Sequence, residues 1–270
     1  MTRLEAIHQL NRRLLEELPE YRALARRFPE DAAAQRRLLR SLMNLRPPMP
    51  LDRGFLAAQD ELLAAEAAER GAVDADALPV TAGRPQLALW QGDITRLRAD
   101  AIVNAANTAL LGCFHPCHGC IDNAIHSAAG LQLRDECARI MDAQGRPEPA
   151  GRAKLTPGFN LPARYVLHTV GPIVAGDVTR RDRAELAACY RACLELAAEH
   201  GLSSVAFCCV STGEFRFPNQ EAAEIAVGTV TDFLSAPSSL QKVIFNVFKD
   251  TDRHIYRRLL GPDRAAETGG

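Results

Sequence analysis

Val205-Ala206-Phe207-Cys208-Cys209-Val210 runs without a polar break into Ser211-Thr212-Gly213. A short, nearly continuous apolar run closed by small residues reads as a strand buried on both faces. A helical pattern follows from about 219 to 234. The same strand-then-helix order recurs on both sides. Leu87-Ala88-Leu89-Trp90 ends at Gly92-Asp93-Ile94-Thr95, and Ala101-Ile102-Val103 ends at Asn104-Ala105-Ala106-Asn107. A helix is expected from about 121 to 141. Tyr165-Val166-Leu167-His168-Thr169-Val170 is stopped by Gly171-Pro172, and a long helix is expected over 183–199. Val243-Ile244-Phe245-Asn246-Val247-Phe248 precedes a last helix over 252–260. This alternation predicts an α/β fold, a three-layer α/β/α sandwich around a parallel or mixed sheet. Ligands of such sheets bind at the carboxyl ends of the strands, so the loops after Trp90, Val103, Val210 and Phe248 are the ones to read.

Residues 1–80 follow a different pattern. Leu10, Leu14, Leu15 and Leu18 fall at helical spacing, as do Leu38, Leu39, Leu42 and Leu45. Pro47, Pro48 and Pro50 interrupt the run, a further helix spans about 55–69, and residues 71–79 read as a linker. The chain thus divides into a helical N-terminal extension, 1–80, and an α/β domain, 81–265.

Composition narrows the function classes. The formal net charge of -1 leaves no global basic field to hold nucleic acid. No run approaches the roughly 20 apolar residues of a membrane span. The start Met1-Thr2-Arg3-Leu4-Glu5 leads into a charged amphipathic stretch, which predicts no signal peptide. The eight cysteines lack the spacing of a secreted disulfide framework, and a reducing cytoplasm is the expected compartment.

Cys113-Phe114-His115-Pro116-Cys117-His118-Gly119-Cys120 carries five potential ligands for a soft divalent metal. Three closely spaced ligands suit a catalytic zinc site with an open fourth position. Cys113, His118 and Cys120 form one such set, with His115 and Cys117 as rivals that spacing does not rank. The alternatives are a four-ligand structural site using Cys117, or inert cysteines without metal. Asp122 and Asn123 follow at a helix start, where an anion is favoured. Asp122 reads as a helix cap, and equally as a carboxylate facing a bound substrate or water. Ser211, Thr212, Gly213, Glu214 and Phe215 form a turn whose amides can approach a phosphate. His168 reads as a core histidine, and His126 as buried near the site.

Together the segments around Gly92-Asp93-Ile94-Thr95, Asp100 to Asn107, Ala124-Ile125-His126 with Ala129-Gly130, Tyr165 to Pro172, and Ser211-Thr212-Gly213 resemble the macrodomain family. The resemblance covers about residues 85–260. Macrodomains bind ADP-ribose, and many hydrolyse it from proteins. The Cys/His run replaces the usual glycine-rich loop, as in the zinc-dependent subclass, which also carries a helical extension. That resemblance implies a microbial protein-ADP-ribose hydrolase with a Zn2+ cofactor, linked with a sirtuin-type ADP-ribosyltransferase. It implies Cys113, His118 and Cys120 as zinc ligands. It implies Asp93 and Ile94 at adenine, Phe248 stacking on it, and Asn107 at the distal ribose. It also implies Cys120, Ile121, Asp122 and Asn123 around that ribose and the diphosphate, with Ser211, Thr212, Gly213, Glu214 and Phe215 holding the diphosphate. Asp122 and Asn107 are the expected catalytic pair, and Asn104 is expected to be structural. The alternative function is a reader that binds ADP-ribose without turnover, its zinc structural.

Overall fold

The computed structural model describes residues 2–264; residues 1 and 265, the outer limits of the two expected segments, lie outside them. Four helices form the extension: α1 (Arg3–Glu17), α2 (Arg22–Ala25), α3 (Ala32–Leu45) and α4 (Arg53–Arg70). Each long helix starts where a polar side chain satisfies free amides. Thr2 and Glu5 make a capping box on α1, Asp31 accepts from the Ala34 amide, and Asp52 accepts from the Phe55 amide. The apolar stripes of these helices bury Leu10, Leu14, Leu39, Leu42 and Leu63 in a core of their own. Leu131, from the α/β domain, completes that core.

The remaining elements are β1 (Val73–Asp74), β2 (Val80–Thr81), β3 (Arg84–Gln91), β4 (Leu97–Arg98), β5 (Ala101–Ala105), α5 (Ile121–Ala129) and α6 (Leu131–Gln144). After them come β6 (Ala153–Pro157), β7 (Tyr165–Thr169), α7 (Arg180–Glu199), β8 (Ser204–Phe207), α8 (Asn219–Leu234), β9 (Lys242–Val247) and α9 (Asp250–Leu260). The main sheet has the order β2-β3-β9-β8-β5-β7-β6. β3, β9, β8, β5 and β7 run parallel, while β2 and β6 are antiparallel edges. Helices flank the sheet, giving the expected α/β sandwich with its mixed sheet and helical N-terminal segment. Among the described residues no helix is long and apolar enough to cross a membrane.

The structure differs from the sequence reading in four places. The helix expected over 121–141 is two helices, because Gly130 takes a φ of 96° that ends α5 and turns the chain into α6. The strand expected over 205–210 leaves the sheet at Phe207, which frees Cys208 and Cys209 for the loop beyond. The edge strands β2 and β6 carry no apolar run, since an edge needs none. The expected 71–79 linker contains β1, which pairs with β4 in a separate two-stranded sheet, and β2 straddles the expected 80/81 boundary.

At Gly130 an added Cβ would stand 2.5 Å from Gln132 Oε1 and 2.7 Å from Gln59 Nε2. Gln59 Nε2 donates to Gln132 Oε1 at 2.7 Å, joining α4 to α6. Gly130→Ala is therefore expected to cost about 1–3 kcal/mol, read as a lower denaturation midpoint at unchanged m-value.

Candidate active site

The parallel strands end together, and the loops that follow them line a cavity of about 830 Å³. Asp93 and Ile94, after β3, stand at one end. Asp93 Oδ1 accepts from the Thr95 amide and hydroxyl at 3.0 and 2.7 Å, and Arg70 of α4 lies 3.7 Å from its other oxygen. Ile94 is buried beneath it. Phe248, after β9, is 75% exposed at this cavity, so an aromatic face is open to a ligand.

The loop after β8 is built to present donors. Ser211 and Arg216 take positive φ values of 66° and 59°. Phe217 N donates to Ser211 O and Arg216 N to Gly213 O, which curls the loop. Among the described residues, the amides of Gly213, Glu214 and Phe215 donate to no protein acceptor. Unpaired amides on a curled loop form an anion-binding nest. Ser211 Oγ is buried without a hydrogen-bond partner at the same place. Gly171 permits this packing: a Cβ there would fall 1.9 Å from Ser211 Oγ.

The long loop after β5 closes the opposite end. The ligand atoms of Cys113, His118 and Cys120 all lie within 4.8 Å of one another. Cys113 Sγ and His118 Nδ1 stand 3.7 Å apart. Two donors on one tetrahedral zinc are separated by about 3.5–3.8 Å, so the spacing fits such an ion. The donor chemistry fits too. Burial, with the Cys113 thiol alongside, pushes the Cys120 thiol up to about 12, and a bound cation reverses that penalty. Cys117 is turned away: its Sγ lies 3.4 Å from Ser41 Oγ and 3.6 Å from Arg37 O, both on α3. His115 packs edge-on against the His118 ring. His118 Nε2 lies 3.8 Å from Glu214 Oε1, so the trio meets the anion loop across the cavity.

Asp122, in the first turn of α5, is buried beside the trio. Its Oδ1 accepts from Asn104 Nδ2 at 2.8 Å, and its Oδ2 from Asn107 Nδ2 at 3.4 Å. His126 Nε2 lies 3.5 Å from Oδ1. Burial raises the Asp122 carboxyl to about 6, against the opposing pull of the Asn104 hydrogen bond and Arg134. Asn107 also donates to Gly112 O and accepts from Ala109 N, so it fixes the start of the loop while facing the cavity. His168 lies in the core between Asn104 and Thr156, and burial lowers it to about 4, leaving it neutral.

One expected binding residue is placed elsewhere. Asn123 is fully buried and does not line the cavity. Its Oδ1 accepts from Arg40, and its Nδ2 donates to the Cys113 and His115 carbonyls, so its amide holds the loop from behind. The sequence reading missed Phe114, Asn246 and Lys249, which do line the cavity. Lys249 carried a signal, as one of only three lysines, directly after an expected strand end.

The fold and these loops define a mixed-sheet α/β domain in which a loop of unpaired amides and a thiol–imidazole trio line one cavity. A family model described as Macro domain matches residues 103–226. The chain belongs to the macrodomain family. It is 53% identical over 249 residues to a protein-ADP-ribose hydrolase of Treponema medium, covering 92% of this chain and 95% of that one. It is 48% identical over 227 residues to a protein-ADP-ribose hydrolase of Staphylococcus aureus (strain Mu50 / ATCC 700699), covering 84% and 85%. A crystal structure of a Trypanosoma brucei macrodomain in complex with ADP-ribose is 34% identical, with a TM-score of 0.64, covering 82% of this chain and 95% of that one.

Because burial raises Asp122 in the folded state, the neutral acid is the favoured form. In metal-free protein its contribution is intact below the ordinary carboxylate pKa and is lost as pH rises to about 6. Asp122→Asn is expected to flatten the dependence of stability on pH between about pH 4 and pH 6. Urea denaturation of chelator-treated protein across that range measures it.

Proposed function

We propose that this chain is a zinc-dependent hydrolase that removes ADP-ribose from mono-ADP-ribosylated proteins. One observation carries the reading: a nest of unpaired amides and a Cys113/His118/Cys120 trio beside buried Asp122 share one cavity. The names of the Treponema and Staphylococcus relatives support the removal of ADP-ribose from protein. The nest at 211–215 would hold the diphosphate without a basic surface, in keeping with the near-zero net charge. Asp93 and Ile94 would receive adenine, with Phe248 stacked on it.

Cys113, His118 and Cys120 would hold Zn2+, which when bound supplies a Lewis acid or an activated water. Asn107 would orient the distal ribose and the Asp122 carboxylate. Asp122 would take a proton from the attacking water or fix its lone pair toward the ribose carbon. The bond cleaved is glycosidic or ester-type, at the distal ribose. The cellular setting proposed is the cytoplasm, in functional linkage with a sirtuin-type ADP-ribosyltransferase that supplies the modified protein.

Single-turnover release of ADP-ribose from a modified protein tests the mechanism. Cys113→Ala and Asp122→Ala are each expected to slow release by about 10²–10⁴-fold, and a chelator to act on wild type as Cys113→Ala does. Wild-type rates in both variants would sink it. ADP-ribose binding without release by the metal-loaded wild type would instead identify a reader with a structural zinc.

A further inference from the structure

The loop over 113–120 contains neither helix nor strand, only a turn at 116–117 within irregular backbone. Its own bonds are few: His118 N to His115 O, and the two carbonyls held by Asn123 Nδ2. The start of α5 holds its last residue, through Ala124 N to Cys120 O at 3.1 Å and Asn123 N to Cys120 Sγ at 3.4 Å; further support comes from the helical extension. Arg40 of α3 donates from Nη2 and Nε to Asn123 Oδ1, at 2.7 and 3.2 Å, and from Nη2 to His118 O at 3.3 Å. The Cys117 amide donates to Asn44 Oδ1 at 2.9 Å, while Asn44 Nδ2 reaches Ser127 Oγ on α5 at 3.1 Å. Cys117 holds a positive φ of 52°, a conformation that needs such outside support.

Arg134 of α6 fixes the other side. Its buried guanidinium donates to the carbonyls of Met43, Asn44 and Arg46 at the end of α3, and to Leu111 O at 2.7 Å. It also lies 4.3 Å over the Phe114 ring. One cation therefore ties the end of α3 to the start of the loop.

We infer that the helical extension is part of the catalytic apparatus, with Arg40 a positioning residue that sets the Cys113/His118/Cys120 geometry through Asn123 and the His118 carbonyl. The inference rests on the zinc reading above only for what the loop holds. The fork matters, because two donors on one side-chain oxygen and a third contact on a ligand's own carbonyl fix a direction that a point charge does not. Partners behind metal ligands orient them, and their loss costs about 10–100-fold in metal affinity.

The test uses the full chain as wild type, Arg40→Ala, Arg40→Lys and a control, Arg36→Ala. Arg36 sits on the same helix and pairs with Glu66 at 2.6 Å, away from the loop. Three quantities are read: hydrogen exchange of the 113–120 amides in metal-free protein, Zn2+ affinity by chelator competition, and kcat with KM. Arg40→Ala is expected to speed exchange of that loop by about tenfold or more while the central strands exchange as in wild type. Its Zn2+ affinity is expected to fall by about 10–100-fold, and kcat to fall with little change in KM. Arg40→Lys should lie between, and Arg36→Ala should match wild type in all three. Wild-type exchange and metal affinity in Arg40→Ala would overturn the inference. Equal effects of Arg36→Ala would also overturn it, by showing a general loosening of the extension. If the wild-type chain binds no zinc, the zinc reading fails, yet the exchange comparison still decides whether Arg40 sets the loop.

Discussion

The parallel pairing of β3, β9, β8, β5 and β7 is the constraint on which everything else rests. Each central strand is buried on both faces, so its amides and carbonyls pair within the sheet and its side chains are mostly apolar; the buried polar Asn104 and His168 are hydrogen-bonded to each other. Ile102, Val103, Val205, Ala206 and Ile244 are accordingly shut off from solvent. Polar groups open to a ligand appear where the strands stop. Because they run parallel, they stop on one side, and loops distant in sequence are brought together there. The anion nest and the thiol–imidazole trio share a cavity for that reason alone.

The same constraint decides what was legible in the sequence. Central strands announce themselves as apolar runs, and Val205 to Phe207 did so although the run overshot the strand by three residues. β2 and β6 did not, because edge strands have a solvent side and need no apolar pattern. The break at Gly130 was hidden inside a continuous helical pattern. A glycine there reads as a weak helix residue until its φ is known. In the site, the Cys/His run was visible as a cluster of ligands. Which of its members converge was not visible to spacing, because Cys117 is drawn off by α3, more than seventy residues earlier. The setting of Asn123 was hidden for the same reason. Its Nδ2 is spent on two loop carbonyls and its Oδ1 on Arg40, a partner that spacing along the chain does not reveal. Contacts between segments so far apart leave no periodic trace.

Strain is concentrated where the chemistry is expected. Of the five non-glycine residues with positive φ among the described residues, Leu110, Cys117, Ser211 and Arg216 lie on the loops around the cavity, and Phe159 does not. Such residues cost about 1–3 kcal/mol each, so the surrounding fold must over-determine them. Here the supports are separable. Gly171 and the curled backbone hold Ser211, while α3 holds Cys117. Asp122 sits between them, fixed by Asn104 and Asn107 from β5 and the loop that follows it.

Leu131 gives these contacts an order in time. It completes the core of the extension, yet it belongs to α6 and leaves the ribosome long after α4. During synthesis the N-terminal helices thus emerge with an apolar gap that their own sequence cannot fill. The gap closes when α6 arrives, and Arg134 arrives with it, three residues on. The Cys/His loop is made in the interval between. Its supports in the folded chain come from segments made before it and after it.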